Sequence, residues 1–251
     1  MKILVALKQV PDTETKIKIN PDGMALDLAD VKWVTSPYDE YAIEEAMRLK
    51  ETQGAIVSVI AVGNDRVKDV LRNALALGAD EALHVSTPDK CDDPLVVATY
   101  LADAIRDRGF DLLLFGNKGS GGDNAAVGPM LAELLGLAQA NVVVKLTIDQ
   151  GRFIAERQIE SGLEVIEGNL PAVVTTQKGL NDPRYPNLKG IMAAKKKEII
   201  TLASSQNQVP FLQTLKLSLP PPRAEGRQLT GTPQEQAQAL FSALQNEAKI
   251  F

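Results

Sequence analysis

Cysteine and histidine each occur once in this chain, as Cys91 and His84, and that scarcity removes several chemistries at the outset. A single cysteine cannot form an internal disulfide or a cysteine-rich metal site. A lone histidine cannot build a His-based zinc site, and no nucleophile is spaced to make a triad with it. In the short apolar run of residues 81–86, His84 reads as a strand residue with a satisfied ring. Also missing is any apolar run near the roughly 20 residues that span a bilayer, and the N terminus enters a strand-like run without a signal-peptide pattern. The expectation is a soluble, non-secreted protein with no membrane insertion. Nor is there a broad basic face: the net charge is −5, which argues against nucleic acid as the main partner. Carboxylates are plentiful, but none is spaced to meet a histidine or cysteine, so no constellation supports bond-making chemistry and no catalytic residue is expected.

What the chain does have is alternation. With 251 residues, 45% of them hydrophobic, it can bury the core of one α/β domain with an appendage, or of two small domains. Residues 2–8 form a compact apolar run of the central-strand kind. Residues 16–27 alternate around Asn20-Pro-Asp-Gly23, a hairpin signal. Ser36 then stands as a helix cap, with Pro37 at the first position and Asp39 completing a Ser-x-x-Asp capping box. Ala42, Ile43, Ala46 and Met47 make the buried stripe of that helix, leaving Glu44, Glu45, Arg48 and Lys50 outside.

Strands follow at 55–62, 81–86 and 111–115. Between them lie a helix capped by Asn64 or Asp65 and carrying Val67, Val70, Leu71 and Ala74, and a helix opened by Asp92 or Asp93 with Val97, Ala98, Leu101 and Ile105 inward. This order implies right-handed crossovers and an open parallel sheet covered by helices on both faces. Residues 140–149 and 152–159 read as a strand pair around Asp149-Gln-Gly151, and 163–167 and 171–176 as strands returning to the sheet. From residue 202 to 229 the composition turns to Ser, Gln, Asn and Pro, an extended arm. Thr232-Pro-Gln-Glu235 is a second capping box, opening a short helix with Ala237, Leu240, Leu244 and Phe251 on one stripe. An arm and helix of this kind cannot bury themselves alone, which points to a partner subunit. The expected division is an α/β nucleotide-binding domain over 1–200 and the arm with its helix over 201–251.

Two stretches stand apart from this framework. Gly116-Asn-Lys-Gly-Ser-Gly-Gly-Asp-Asn-Ala-Ala-Val-Gly-Pro-Met-Leu-Ala132 lies between a strand end and a helix start. Its glycines let the backbone approach a ligand, and the free amides of the helix N terminus favour an anion. It is neither a Walker loop nor a Gly-x-Gly-x-x-Gly fingerprint, so residue pattern leaves a phosphate site and a flexible loop both open. The second stretch, residues 179–199, has two prolines, an apolar tip and Lys195-Lys-Lys197, with no helical or strand period. Pro183 and Pro186 stiffen it, and residues 185–188 should project as a shaped loop offering Leu188 at the surface.

Asn181-Asp-Pro-Arg-Tyr185, Leu188, Ile191-Met192 and Lys195-Lys-Lys197 together resemble the signature of the β subunit of electron transfer flavoprotein, and the similarity extends from the Lys2-Ile-Leu-Val-Ala-Leu-Lys8 opening to the C-terminal helix. The resemblance implies a Rossmann-like, adenine-nucleotide-binding fold holding a structural AMP. The contacts carried over by position are Ala6, Ser36, Pro37, Tyr38, Asp39, Asn64, and Gly121, Gly122, Asp123, Asn124, Ala125, Ala126, Val127, Gly128, Pro129, Met130, Leu131 and Ala132. It further implies an α-subunit partner carrying most of an FAD, donor dehydrogenases, and a quinone oxidoreductase as acceptor.

Donor recognition would fall to the loop 184–193, with Leu188 as anchor and Arg184, Tyr185, Asn187, Lys189, Ile191 and Met192 around it. The implied location is the cytoplasm for a bacterial protein and the mitochondrial matrix for eukaryotic relatives. Gly122-Asp-Asn-Ala-Ala-Val-Gly-Pro129 and Lys8-Gln-Val-Pro-Asp12 are similar to members that split electron pairs and hold a second FAD in place of AMP, whereas Asn181-Asp-Pro-Arg-Tyr185 is similar to the AMP-binding, respiratory group. Thr13 stands where some members have a tyrosine near the flavin, and Ala193 replaces a lysine of some relatives. A stand-alone ATP-binding protein resembling a universal stress protein is the alternative. Gly116-Asn-Lys-Gly119 fits its start, but Pro129 stands where its phosphate clamp needs a glycine.

Overall fold

The computed structural model describes residues 1–87, 92–204, 209–223 and 225–250. Cys91, Phe251 and part of the expected arm lie outside these residues. The first 35 residues hold β1 (Lys2–Ala6), β2 (Gln9–Pro11), β3 (Lys18–Ile19), β4 (Leu26–Asp27) and β5 (Trp33–Thr35). There follow α1 (Pro37–Gln53), β6 (Ile56–Gly63), α2 (Lys68–Leu77), β7 (Glu81–Ser86), α3 (Pro94–Ile105), β8 (Leu112–Gly116) and α4 (Val127–Leu135). After these come β9 (Ala138–Asp149), β10 (Arg152–Ile159), β11 (Gly162–Asn169), β12 (Ala172–Thr176), α5 (Leu188–Lys196), β13 (Ile199–Ala203) and α6 (Pro233–Ala243).

Nine strands form one sheet in the order β11-β10-β9-β12-β8-β1-β6-β7-β13. From β9 to β13 all neighbours in that order run parallel, while β10 and β11 extend it antiparallel. Gln150 and Gly151, both at positive φ, close the β9–β10 hairpin as the twist of paired strands requires. The sheet buries two apolar layers. Ile3, Val5, Leu112 and Leu114 face Ala42, Ile43, Val70 and Leu71 of α1 and α2, whereas Leu4, Ala6, Leu113 and Phe115 face the α3 and α4 side with Leu101 and Leu131. Strands covered on both sides have no polar face, which is why they read as continuous apolar runs. His84 is fully buried on β7; its Nε2–H donates to the Gly63 carbonyl at 2.8 Å, while Nδ1 finds no partner among the described residues, so only half the ring is satisfied.

Several local expectations need correction. Ser36 does precede α1 and Pro37 is its first residue, but the Ser36 side chain makes no capping bond and the box with Asp39 does not form. Its hydroxyl points to the Lys118 carbonyl at 3.4 Å, and the Asp39 carboxylate is taken by two strand ends. Glu44 and Glu45, expected on the solvated side, are 6% and 5% exposed. Their partners, Arg184 and Asn181, lie far along the chain and cover that face. Val97 is only half-buried.

The stretch 179–199 is not without regular structure: Asn187 caps the helix α5, its side chain accepting from the Gly190 amide at 2.8 Å. Leu202 and Ala203, placed in the arm by composition, belong to β13, which adds to the sheet beside β7.

The chain divides into two compact units, Met1–Leu215 and Lys216–Phe251. In the second unit Thr232 and Glu235 form the expected capping box of α6. No α6 residue is buried, and Leu240 and Phe241 are exposed. At the end of the first unit Val209, Phe211, Leu212 and Leu215 are exposed, while the Phe211 and Leu212 amides donate to Asp93 at 2.6 and 3.0 Å. Among the described residues no helix is long and apolar enough to cross a membrane.

Candidate functional site

From β1 the chain builds outward to β6 and β7, then returns through α3 to place β8 on the other side of β1. The carboxyl ends of β1 and β8 therefore flank the point where strand order reverses, and a parallel sheet opens a crevice there. The start of α1 sits directly on that edge. Asp39 Oδ2 accepts the Lys8 amide at 2.6 Å, and Oδ1 accepts the Gly116 amide at 3.0 Å, so one carboxyl group ties the ends of two strands. Such closeness needs a glycine: a Cβ on Gly116 would lie 2.3 Å from Asp39 Oδ1, 2.6 Å from the Tyr38 carbonyl carbon and 2.7 Å from the Asp39 nitrogen. The buried Thr176 hydroxyl, 3.1 Å from the Phe115 carbonyl and 3.2 Å from that of Tyr38, closes the seam from β12.

Above this edge the glycine loop turns into α4. Gly121, Asp123 and Ala125 all have positive φ, a conformation that turns successive amides out of the ordinary extended pattern. Gly119 leaves room for Lys8: a Cβ there would come 2.7 Å from the lysine stem and 2.9 Å from its ammonium. No carboxylate forms an ion pair with Lys8 among the described residues. Lys118 is held by Asp123 at 2.8 Å and stands 5.7 Å from the centre of the Tyr38 ring. At the other end of the loop Gly128 lies against β12, where an added Cβ would be 2.8 Å from Thr175.

Burial pushes the Asp39 carboxyl up to about 7, against the pull of its two amide donors and of Lys8. The folded state thus prefers the proton. The stability this group contributes is fully present below the ordinary value of 3.8 and is lost as the pH rises from there through about 7. The expected result is that the stability of the wild-type chain relative to Asp39→Asn is larger at about pH 5 than at about pH 8 in denaturant titrations. Glu45, which burial also pushes up, remains in both proteins and cancels in the difference, whereas the charge of Glu40 helps to raise Asp39 and so belongs to the effect measured. A pH-independent difference would contradict the assignment.

The structure brings Ser36, Pro37, Tyr38 and Asp39 against the glycine loop and the end of β1 that carries Ala6. Asn64 lies on the same edge after β6, its side chain accepting the Arg66 amide at 3.2 Å. Gly121, Gly122, Asp123, Asn124 and Ala125 are exposed; Ala126, Val127, Pro129 and Met130 are half-buried. Gly128, Leu131 and Ala132 are buried in the α4 packing. Sequence reasoning missed Lys8 as a site residue, although a charge ending an apolar run was a usable signal. It also missed Arg66, whose guanidinium stacks 3.6 Å from the centre of the Trp33 ring and donates to Gln9 Oε1, while Gln9 Nε2 donates to the Arg66 carbonyl; no local pattern announces that contact.

The second group lies away from the crevice, around α5. Asn181 Nδ2 donates to the Tyr41 carbonyl and to Glu45, both at 3.0 Å. The Arg184 guanidinium turns inward to Glu44 and Glu51 on α1, not outward. A cleft of about 470 Å³ lies beside this pairing, lined by Trp33, Tyr41, Asp69, Asn73 and Arg184 among others.

The helix itself is seated on α2. A Cβ on Gly190 would fall 2.2 Å from the Ala76 carbonyl oxygen, Ala194 is buried, and Arg72 donates to the carbonyls of Ala194 and Lys197. Tyr185, Leu188 and Met192 face outward, at 93%, 81% and 59% exposure, with Lys189 and Ile191 also exposed. Among the described residues no group of three His, Cys, Asp or Glu is placed to hold a metal.

A family model described as "Electron transfer flavoprotein domain" matches residues 24–207. The chain is 40% identical to the electron transfer flavoprotein subunit beta of Bacillus subtilis (strain 168), with both chains covered completely. It is 38% identical to the subunit beta of Syntrophomonas wolfei, over all of this chain and 98% of that one. The mitochondrial electron transfer flavoprotein subunit beta of Oryza sativa subsp. indica is 36% identical, again over the whole of both chains.

Proposed function

Since this chain belongs to the electron transfer flavoprotein family, as a β subunit, we propose that it acts in a heterodimer that takes electrons from dehydrogenases and passes them to a quinone oxidoreductase. An electron carrier of this kind does not need an acid, a base or a nucleophile. The FAD, held mainly by the α subunit, supplies the redox chemistry, and the protein supplies binding, orientation and electrostatics.

The observation that carries the nucleotide half of the reading is Lys8 reaching over Gly119 at the crevice between β1 and β8. An ammonium that forms no ion pair among the described residues, the glycine backbone at residues 119, 121 and 122 and the start of α4 converge there, a chemistry that fits a phosphate. AMP is the nucleotide proposed. Lys8 and the amides of residues 119–125 would hold its phosphate, with the residues at the start of α1 and Asn64 bordering it. The exposed apolar residues of the arm and of α6 fit a segment that lies on the α subunit.

The test is to purify the chain with its α subunit and to extract and quantify the nucleotides. One FAD and one AMP per heterodimer is the expected result. Two FAD per heterodimer would instead support the electron-splitting members, which the runs at 8–12 and 122–129 resemble. A colourless protein that binds ATP without any flavin-bearing companion would overturn the reading.

A further inference from the structure

We propose that Arg184 is a positioning residue for electron-donor docking: it does not touch the donor, but clamps the chain ahead of α5 onto α1 so that Leu188 is presented in one place. The inference rests on the proposed transfer from dehydrogenases and on the donor-anchoring role that the family resemblance implies for Leu188. Arg184 lies four residues before Leu188, between Pro183 and Pro186, which narrow the conformations of the segment. Its Nε and one Nη bond Glu44 at 2.8 and 2.9 Å, its backbone amide reaches the same carboxylate at 3.2 Å, and its guanidinium also engages Glu51.

Glu44 and Glu51 are seven residues apart, two turns along one face of α1, so the guanidinium bridges two turns of a rigid helix. The Glu44 side chain is only 8% exposed. A planar fork can serve two carboxylates at once, whereas a lysine offers a point charge. The two carboxylates, Glu51 first, push Arg184 above its ordinary value, so its charge does not vary over working pH.

α5 is anchored on α2 from Gly190 onward, through Gly190, Ala194 and the bonds from Arg72. The Asn187 cap ties the turn of Leu188 to Gly190, but that anchorage does not reach back to Tyr185 and the segment ahead of the helix. Arg184, assisted by Asn181 on Tyr41 and Glu45, supplies the missing support. An exposed leucine on an unclamped segment would have to be ordered at the moment of docking, and that cost appears as weaker association.

The heterodimer is to be assayed with a purified acyl-CoA dehydrogenase as electron donor, measuring kcat and KM for the heterodimer together with flavin content. Arg184→Gln is expected to raise KM about tenfold, through KM and not kcat and with the flavin retained. Because this variant leaves Glu44 buried without its counter-charge, Glu51→Gln provides a second route: it releases only a solvent-exposed arm and is expected to raise KM about threefold.

The double variant Leu188→Ala/Arg184→Gln should be no worse than Leu188→Ala alone, since the clamp acts through that leucine. The proposal is overturned if the clamp variants leave KM unchanged while Leu188→Ala raises it, or if the two effects simply add, which would mean that Arg184 meets the donor itself. If Leu188→Ala leaves KM unchanged, the docking role falls and the clamp falls with it.

Discussion

Leu188→Ala is expected to raise the concentration of heterodimer that half-saturates its electron donor about 30-fold, while FAD content and thermal stability stay as they were. Leu188 is 81% exposed on the first turn of α5, so its side chain contributes almost nothing to the core and its removal leaves the fold intact. What it would lose, on the proposed docking role, is burial in the donor. A leucine moved from water into an apolar pocket gains about 1.5–3 kcal/mol, and about 2 kcal/mol corresponds to the stated factor. That is enough to hold an encounter complex and too little to make it permanent, as a shuttling carrier requires. Tyr185 and Met192 flank it as exposed apolar surface, and Lys189 beside it keeps the rim polar. Stopped-flow reduction of the bound flavin by the dehydrogenase, over a range of heterodimer concentrations, measures the effect. An unchanged dependence with full flavin occupancy would remove the anchor from the account.

How much of this could be read beforehand depended on how local the causes are. β1, β7, β8 and β12 were legible because a strand covered on both faces carries an uninterrupted apolar signal. The Thr232–Glu235 box was legible because both partners lie within one turn. Ser36 and Asp39 present the same spacing, yet the carboxyl went to amides from β1 and β8, whose approach no local pattern encodes.

The same distinction explains α5 and the glutamates. α5 buries one residue, Ala194, and docks through the bare backbone of Gly190, so it has no apolar period to detect. Glu44 and Glu45 looked solvated because the groups that cover them, Arg184 and Asn181, arrive some 140 and 136 residues later. The crevice itself was half legible. Its glycines and helix start were visible, but Lys8 joins them only once β1 and β8 are neighbours.

Gly116→Ala tests the seam where the start of α1 meets the ends of β1 and β8, and it is expected to cost about 3 kcal/mol of stability and to empty the proposed nucleotide site. The added methyl would fall 2.3 Å from Asp39 Oδ1 and within 2.7 Å of the backbone of Tyr38 and Asp39. A side chain could turn away, but backbone cannot, so the start of α1 must lift from the end of β8. Overpacking of this kind costs about 1–3 kcal/mol, and loosening the bonds from the Lys8 and Gly116 amides to Asp39 adds about 1 kcal/mol. Lifting α1 also moves Ser36 and Tyr38 away from the loop that the proposed AMP would occupy.

Gly121→Ala is the control that separates collision from mere glycine content. Gly121 has φ +90° but open space where a Cβ would go, so its replacement strains the backbone by about 1 kcal/mol without displacing a helix. Denaturant midpoints and extracted nucleotide, measured on both variants, should therefore rank Gly116→Ala well below Gly121→Ala. Equal losses in the two would show that flexibility of the loop, and not the contact between α1 and β8, is what the site requires.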